Sequence, residues 1–474
     1  MSPKCICYSK VNLGFQKENM SLTVVLCTSQ NRQATPMHKF RTILLPDFCR
    51  NFGVSFRDPG ATVGKLGSVS GFFVFGAGVL AAKALSMIAQ VYLGRNLGPH
   101  MYGQLTLILL LSSYFCMPMT NGWGLAYVRL ASMESAWEKK LEYLKAVLVV
   151  SAGFSAATLV LLTLLSSTLC HWLNIDETLF RPILILTSAS ALWFLAKLIA
   201  QGLQHWNMYI MIELVWSILI SVTAVGLIIL RQLNLHHMVT GFTLSYVLAA
   251  LLPMSVIIRS LNSRMNYCYM RDIFVHGGLL LINALIGVGA FSIDRLVINH
   301  SLGATQVGIY QAHFFATYGI VSALITVFVN YVFPRFCADH DLSLVFLMRG
   351  ICFYAYPIIL LVTLALGVTM LLGYGYPLSL PLFAALCVFT PCNFHLQIKS
   401  WYLASRGTTA TRWVLQSQII FFLGNLTILA LLVERYGINA GGVALLGATI
   451  LALAYLLIIE RRLVYERTLP ALLH

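Results

Sequence analysis

Long apolar segments separated by short polar ones repeat along the chain from residue 71 onward. The first, 71–93, contains one charged residue, Lys83, and a Leu-Gly-Pro turn at 97–99 separates it from the second, 102–128. Segments of ~20 apolar residues cross the hydrocarbon core as helices, because lipid leaves unpaired backbone groups unsatisfied in any other open form. The pattern predicts an all-α polytopic membrane protein with about twelve transmembrane helices. The predicted spans cover residues 71–93, 102–128, 142–169, 180–203, 208–230, 238–258, 273–298, 306–333, 344–372, 377–403, 412–433 and 438–459.

Composition supports a membrane protein and explains its basic charge. Hydrophobic residues make up 59% of the chain and charged residues 10%, whereas a soluble protein has about 25% charged residues. The 31 Lys and Arg residues give a net charge of +15. With twelve spans and both termini in the cytoplasm, most of these residues fall in cytoplasmic segments, as the positive-inside bias requires. We therefore expect membrane lipids as partners and no nucleic acid.

Residues 1–65 differ from the rest of the chain because they are polar and basic and contain no long apolar run. We expect a disordered cytoplasmic tail, and we find no apolar stretch long enough for a secretory signal peptide. A second interpretation is that translation starts at Met20, Met37 or a later codon, in which case the tail is not part of the natural product.

A short sequence pattern occurs twice, 205 residues apart. The segment 97–103 reads LGPHMYG and the segment 302–308 reads LGATQVG, so that Leu and both Gly residues match. Each follows an apolar run and precedes a long span that closes on arginine, Arg129 in one case and Arg335 in the other. The repeat predicts two six-helix halves, 66–260 and 270–465, in the same membrane orientation. Transporters place a central cavity between repeats of this kind.

These motifs resemble those of a known family. The run 89–103 (AQVYLGRNLGPHMYG) is similar to the amino-terminal signature of the bacterial oligosaccharide flippases. The second-half segments Asp294-Arg295-Leu296, 302–310 and Phe333-Pro334-Arg335 are similar as well. These flippases belong to the multidrug/oligosaccharidyl-lipid/polysaccharide exporter superfamily. The resemblance covers residues 70–465 in architecture, whereas the motifs themselves are short.

The resemblance implies a bundle of six plus six helices around a V-shaped central cavity in the bacterial inner membrane. It implies a transporter that moves undecaprenyl-pyrophosphate-linked oligosaccharides by alternating access, as part of lipopolysaccharide or other polysaccharide biosynthesis. Other glycan-assembly membrane proteins are expected partners. Some family members couple transport to a proton or sodium gradient, and we expect no cofactor and no enzymatic activity.

Lysines inside spans are the first candidate site residues. An ionisable group in a span costs roughly 2.5–3.5 kcal/mol, so it normally faces a polar cavity. Lys83 shares one helix face with Gly76, Ser86 and Gln90, and Lys197 lies on a similar polar face of the fourth span. We predict that Lys83, Gln90 and Lys197 line a substrate cavity, where cations balance the pyrophosphate. Snorkelling of Lys197 to the interface is the alternative.

Three residues are candidates for ion coupling. Asp294 and Arg295 end the seventh span, where they either couple transport to an ion or form a pair that fixes the helix end near the outer interface. Glu213 lies one turn into the fifth span and either titrates or sits near the cytoplasmic interface. The sequence leaves both pairs of interpretations open.

Three further basic residues lie at the cytoplasmic ends of spans. Arg129 and Arg335 occupy matching ends of the second and eighth spans, and Lys399 ends the tenth with His395 one turn before it. They either meet the substrate phosphate at the cavity entrance or anchor the helices by the positive-inside bias.

Two other functions remain as alternatives. A cation-coupled drug or metabolite antiporter of the same superfamily needs acidic residues deep in its spans, and here the few acids lie near span ends. A membrane glycan polymerase or ligase would need a sizeable loop, and all loops between the predicted spans are short.

Overall fold

The computed structural model describes residues 69–173, 177–264, 266–338 and 344–472, and within these ranges it contains helices and no strands. The helices, in chain order, are α1 Val69–Cys116, α2 Gly122–Met133, α3 Trp137–Leu164, α4 Ser166–Leu173, α5 Glu177–Gly202, α6 Trp206–Ile229, α7 Leu235–Ala250, α8 Met254–Leu261, α9 Tyr267–Ala290, α10 Ile293–Leu302, α11 Ala304–Ala338, α12 Leu344–Tyr374, α13 Leu380–Ser405, α14 Thr408–Tyr436 and α15 Asn439–Leu472. A five-residue π-helical segment, Met117–Asn121, joins α1 to α2. The predicted tail, 1–65, lies outside the described residues.

The spans agree with the apolar runs. Ten helical segments of the described chain are long and apolar enough to cross a membrane, and the bent pair α7–α8, with 58° between its helices, raises the number to eleven. One of the ten, Phe73–Met133, has 61 residues and contains the first two predicted spans. Every one of the twelve predicted spans therefore has a helical counterpart, and the prediction of an all-α polytopic membrane protein with two six-helix halves is confirmed.

A glycine divides the first long helix into two spans. Gly98 has φ 72° and ψ 167°, a conformation that glycine adopts without steric cost because it has no Cβ. Gln90, before this break, and Ser113, after it, line the same cavity. Because 23 residues of straight helix would separate them by roughly 35 Å, the chain must fold back at Gly98.

The second copy of the turn has the same backbone and packs against the first. Gly303 has φ 84° and ψ 169°, close to the values of Gly98. A Cβ added at Gly103 would lie 1.9 Å from the carbonyl oxygen of Ala304, and one at Gly308 would lie 2.0 Å from that of Pro99. Gly308 and Ala304 lie 205 positions after Gly103 and Pro99, so each turn presents the same two positions to the other turn. The two turns are therefore related by a local two-fold axis. Only glycine at both positions permits this backbone contact.

At the opposite end of α11 the two halves contact each other through side chains instead of backbone. Tyr331 of α11 packs against Phe75 of α1 and Trp206 of α6, with ring centroids 5.4 and 5.1 Å apart. Asn330 donates its side-chain amide to the Tyr209 hydroxyl oxygen at 2.6 Å and accepts, through its carbonyl oxygen, a hydrogen bond from Gln201. The first and second halves thus touch at both ends of α11. The exact boundaries of the halves, 66–260 and 270–465, stay a prediction.

Candidate functional site

The first half contains a buried cluster of three charged side chains, Lys83 of α1, Lys197 of α5 and Glu213 of α6. The side chain of Glu213 is completely buried. Its Oε1 lies 2.5 Å from the Nζ of Lys197, and its Oε2 lies 3.2 Å from the Nζ of Lys83. We call these three residues the lysine–glutamate triad, and with both lysines protonated and the glutamate ionised it carries one unbalanced positive charge.

Aromatic rings surround the triad. The Lys197 Nζ lies 4.1 Å from the ring centroid of Trp193, and the Lys83 Nζ lies 5.3 Å from that of Trp216. Trp193, Trp216 and Tyr246 pack on one another with centroids 5.1–5.8 Å apart. A cation over an indole face is attracted by the ring quadrupole. These rings therefore contribute cation–π attraction to the lysine ammonium groups.

The position of Glu213 changes one inference from the sequence. We expected the acids near span ends, whereas Glu213 is the eighth residue of α6, about 10 Å along the helix from its first residue. The charges of the triad join α1, α5 and α6, although Lys83 and Glu213 are 130 positions apart in the sequence. A completely buried carboxylate, two turns inside a candidate span, is therefore present, but two lysines contact it.

The second half contains a different cluster, formed by Asp294, Arg295, Tyr310 and Gln311. Asp294 is completely buried and accepts hydrogen bonds from the Tyr310 hydroxyl, from the Arg295 amide at 2.8 Å and from the Arg295 guanidinium at 3.0 Å. The Arg295 Nε donates to the Gln311 Oε1 at 2.7 Å, and its Nη1 donates to the carbonyl oxygen of Phe291. We call these four residues the aspartate–arginine cluster, and its two charges balance.

A cavity of about 280 Å³ lies between the two halves. Its wall combines Gln90 and Thr106 of α1 with Arg295 of α10 and Gln311 and Tyr318 of α11. The Arg295 guanidinium also lies 4.1 Å from the Phe314 ring centroid, which belongs to the same wall. The cavity thus joins an arginine of the second half to polar side chains of the first.

The offset of 205 residues in the sequence is also a signal for this cavity. Gln90 and Arg295 are 205 positions apart, the same offset that aligns the two turns, and both line the cavity. Tyr310 and Gln311 were not among the predicted site residues. Tyr310 stands in the repeated motif, but nothing local to either residue indicates that it would contact Asp294 or Arg295.

The remaining predicted residues lie elsewhere. Lys399 forms an ion pair with Glu460 of α15, a partner that the sequence did not suggest. Arg129 is half-buried in α2. Burial raises the pKa of the Cys337 thiol, near the end of α11, to about 12, and the charges of Arg129 and Arg406 oppose this shift. The side chain of Arg335 lies outside the described residues.

Comparisons with known proteins give a family and a fold. The family described as "Polysaccharide biosynthesis protein" matches residues 68–340, more than half of the chain. No curated protein sequence matches the chain.

Several solved structures share the fold at low sequence identity. A lipid II flippase MurJ in an inward closed conformation is 15% identical and has a TM-score of 0.53, over 82% of this chain and 87% of its own. The MATE multidrug transporter DinF-BH is 13% identical with a TM-score of 0.66, over 86% and 98%. The MATE transporter VcmN of Vibrio cholerae in its bent form is 16% identical with a TM-score of 0.58, over 84% and 97%. At these identities the similarity shows the fold alone.

Proposed function

The chain belongs to the polysaccharide biosynthesis protein family, and from this premise we propose that it is a flippase for undecaprenyl-pyrophosphate-linked oligosaccharide repeat units. It moves them across the bacterial inner membrane by alternating access of a cavity between its two halves. Both termini lie in the cytoplasm, and other glycan-assembly membrane proteins receive the product. We propose that the activity involves no cofactor and that a proton or sodium gradient is its energy source.

The observation that carries this proposal is the cation in the cavity between the halves. Arg295 is buried and lines the cavity, while its charge-neutralising partner Asp294 lies behind it, hydrogen-bonded to Tyr310. The Arg295 Nε and Nη1 donate to Gln311, Phe291 and Asp294, so the Nη2 group is the one that would donate to an anion in the cavity. Phosphate oxygens accept such charge-assisted hydrogen bonds from guanidinium groups. At about 280 Å³ the cavity is too small for a whole lipid-linked oligosaccharide, and we propose that it receives only the pyrophosphate linker.

A reconstituted flipping assay tests the proposal. The purified chain in liposomes is supplied with undecaprenyl pyrophosphate that carries a fluorescent oligosaccharide, and a membrane-impermeant quencher reports the fraction in the outer leaflet. We expect the protected fraction to fall at a rate that increases with the protein content of the vesicles. Movement at the protein-free rate, at every gradient of protons or sodium, would contradict a flippase.

A second candidate is a cation-coupled antiporter for drugs or metabolites. Two completely buried carboxylates, Glu213 and Asp294, favour it, because such groups can exchange a proton for an organic cation. The same liposomes distinguish the two functions. An antiporter would move a cationic dye against an imposed proton gradient and leave the labelled lipid where it was, whereas we expect the reverse. A glycan polymerase or ligase, the third alternative, would lengthen or transfer the labelled glycan.

A further inference from the structure

We infer that the three members of the lysine–glutamate triad have different tasks: Lys83 binds the anionic linker, and Lys197 and Glu213 are positioning residues that keep its charge available. This division of tasks rests on the proposed function. It replaces two interpretations of the sequence, in which both lysines bind substrate and Glu213 couples transport to an ion.

The geometry of the ion pairs separates the two lysines. Glu213 is closer to Lys197, at 2.5 Å, than to Lys83, at 3.2 Å. The Lys197 ammonium also lies over the Trp193 ring at 4.1 Å and within 6 Å of the ring centroids of Phe194 and Tyr209. Lys197 thus forms the shorter ion pair with Glu213, and three aromatic rings lie around its ammonium group. We therefore assign the negative charge of Glu213 mainly to Lys197, which leaves most of the unbalanced positive charge on Lys83.

Lys83 lies on a face of α1 that also carries residues in contact with the second half, although its ammonium contacts Glu213 and Trp216 of α6. Lys83 is the more accessible lysine, with 20% of its side chain exposed against 11% for Lys197. It lies seven residues, two helical turns, from both Gly76 and Gln90, so the three share one face of α1. A Cβ at Gly76 would lie 3.3 Å from Val327 of α11, and Gln90 lines the cavity. This face of α1 therefore looks toward the second half.

Charge counting then predicts how substitutions behave. Lys83→Gln removes the unbalanced charge. Lys197→Met leaves Glu213 with Lys83 as its one cationic neighbour in the triad, so the carboxylate neutralises Lys83. The double substitution Lys197→Met with Glu213→Gln removes one positive and one negative charge, and Lys83 again carries an unbalanced charge. Rescue by a second substitution is the result that a simple binding role for Lys197 does not produce.

The test measures the Kd of the purified full-length chain for undecaprenyl pyrophosphate in nanodiscs. We expect each single substitution, Lys83→Gln and Lys197→Met, to weaken binding by about tenfold or more, the range for a lost charge-assisted hydrogen bond. The double variant should return to within about threefold of the original, less than one such bond. Adding Lys83→Gln to the double variant should remove binding again. Lys139→Gln, an exposed lysine paired with Glu134 at 3.5 Å, is the matched control and should bind normally.

Two further arms separate the possible outcomes. Undecaprenol, which has no phosphate, and inorganic pyrophosphate show whether the lipid, the anion or both are bound. If the unaltered chain does not bind undecaprenyl pyrophosphate, the proposed function fails. If it binds and Lys83→Gln binds equally well, or if the double variant stays as weak as Lys197→Met, the division of tasks fails while the flippase stands. Thermal unfolding of each variant identifies those that have lost their fold, and the rescued double variant must remain folded for binding to return.

Discussion

The two halves of the molecule share a turn but differ in their charged clusters. Gly98 and Gly303 have nearly the same φ and ψ, and the turns contact each other through equivalent positions. The lysine–glutamate triad of the first half joins three helices by ion pairs and has an unbalanced positive charge. The aspartate–arginine cluster of the second half is neutral, and neighbouring hydroxyl and amide groups complete its hydrogen bonds.

The repeated turn and the charged clusters differ because one depends on the backbone and the other on side chains. Backbone contact at a repeated turn requires only that both copies keep glycine, so the repeat preserves it. A buried charge must find its partners in side chains of other helices, and the two halves offer different partners at each place. A neutral, hydrogen-bonded cluster stabilises one arrangement of helices, whereas an unbalanced charge remains available to a ligand. The comparison therefore predicts the largest loss of stability at the buried Asp294 of the second half, and weaker binding without a large loss of stability at Lys83 of the first.

The largest expected effect follows removal of the carboxylate in the second half. Asp294→Ala leaves the Arg295 guanidinium buried without its counter-charge and the Tyr310 hydroxyl without its acceptor. Breaking a buried charge pair in this way costs about 3–5 kcal/mol. Unfolding of the purified protein in detergent should show this loss, and Asp272→Ala, at a half-buried position near the start of α9, is the control. An unchanged stability would show that the cluster does not hold α10 to α11.

An intermediate effect should be the same in both halves. Gly103→Ala and Gly308→Ala each place a methyl group against a backbone carbonyl of the opposite turn. Overpacking of this kind costs about 1–3 kcal/mol, and the local symmetry predicts equal losses of unfolding free energy for the two variants. Gly226→Ala in α6 is the control, because a Cβ there meets open space. Clearly unequal losses for Gly103 and Gly308 would break the proposed equivalence of the turns.

The smallest effect is expected at Lys399. Its ion pair with Glu460 is mostly buried, with 11% and 21% of the two side chains accessible. A glutamine at position 399 can still donate a hydrogen bond to the Glu460 carboxylate, so the expected cost is about 1 kcal/mol. Lys399→Gln should therefore reduce the free energy of unfolding slightly and leave the flipping rate nearly unchanged. A large fall in flipping with normal stability would return Lys399 to the substrate path that the sequence suggested.

The sequence predicted correctly those structural features that depend on one continuous segment of the chain. Each span follows from the cost of unpaired backbone in lipid, and each turn follows from the backbone freedom of glycine. The polar face of Lys83 and Gln90 follows from helical periodicity alone. The offset of 205 residues also pairs Gln90 with Arg295, so even part of the cavity wall was encoded in the repeat.

By itself, then, the sequence determined the number and positions of the spans, the matching turns of the two halves, and the presence of ionisable groups within the membrane. Only the tertiary structure decided which of these groups neutralise one another. Lys83, Lys197 and Glu213 come from three helices, and Lys399 and Glu460 from two others. Hydropathy and periodicity depend on neighbours along the chain, whereas the Coulomb energy of an ion pair depends on the distance between atoms, which helix packing sets.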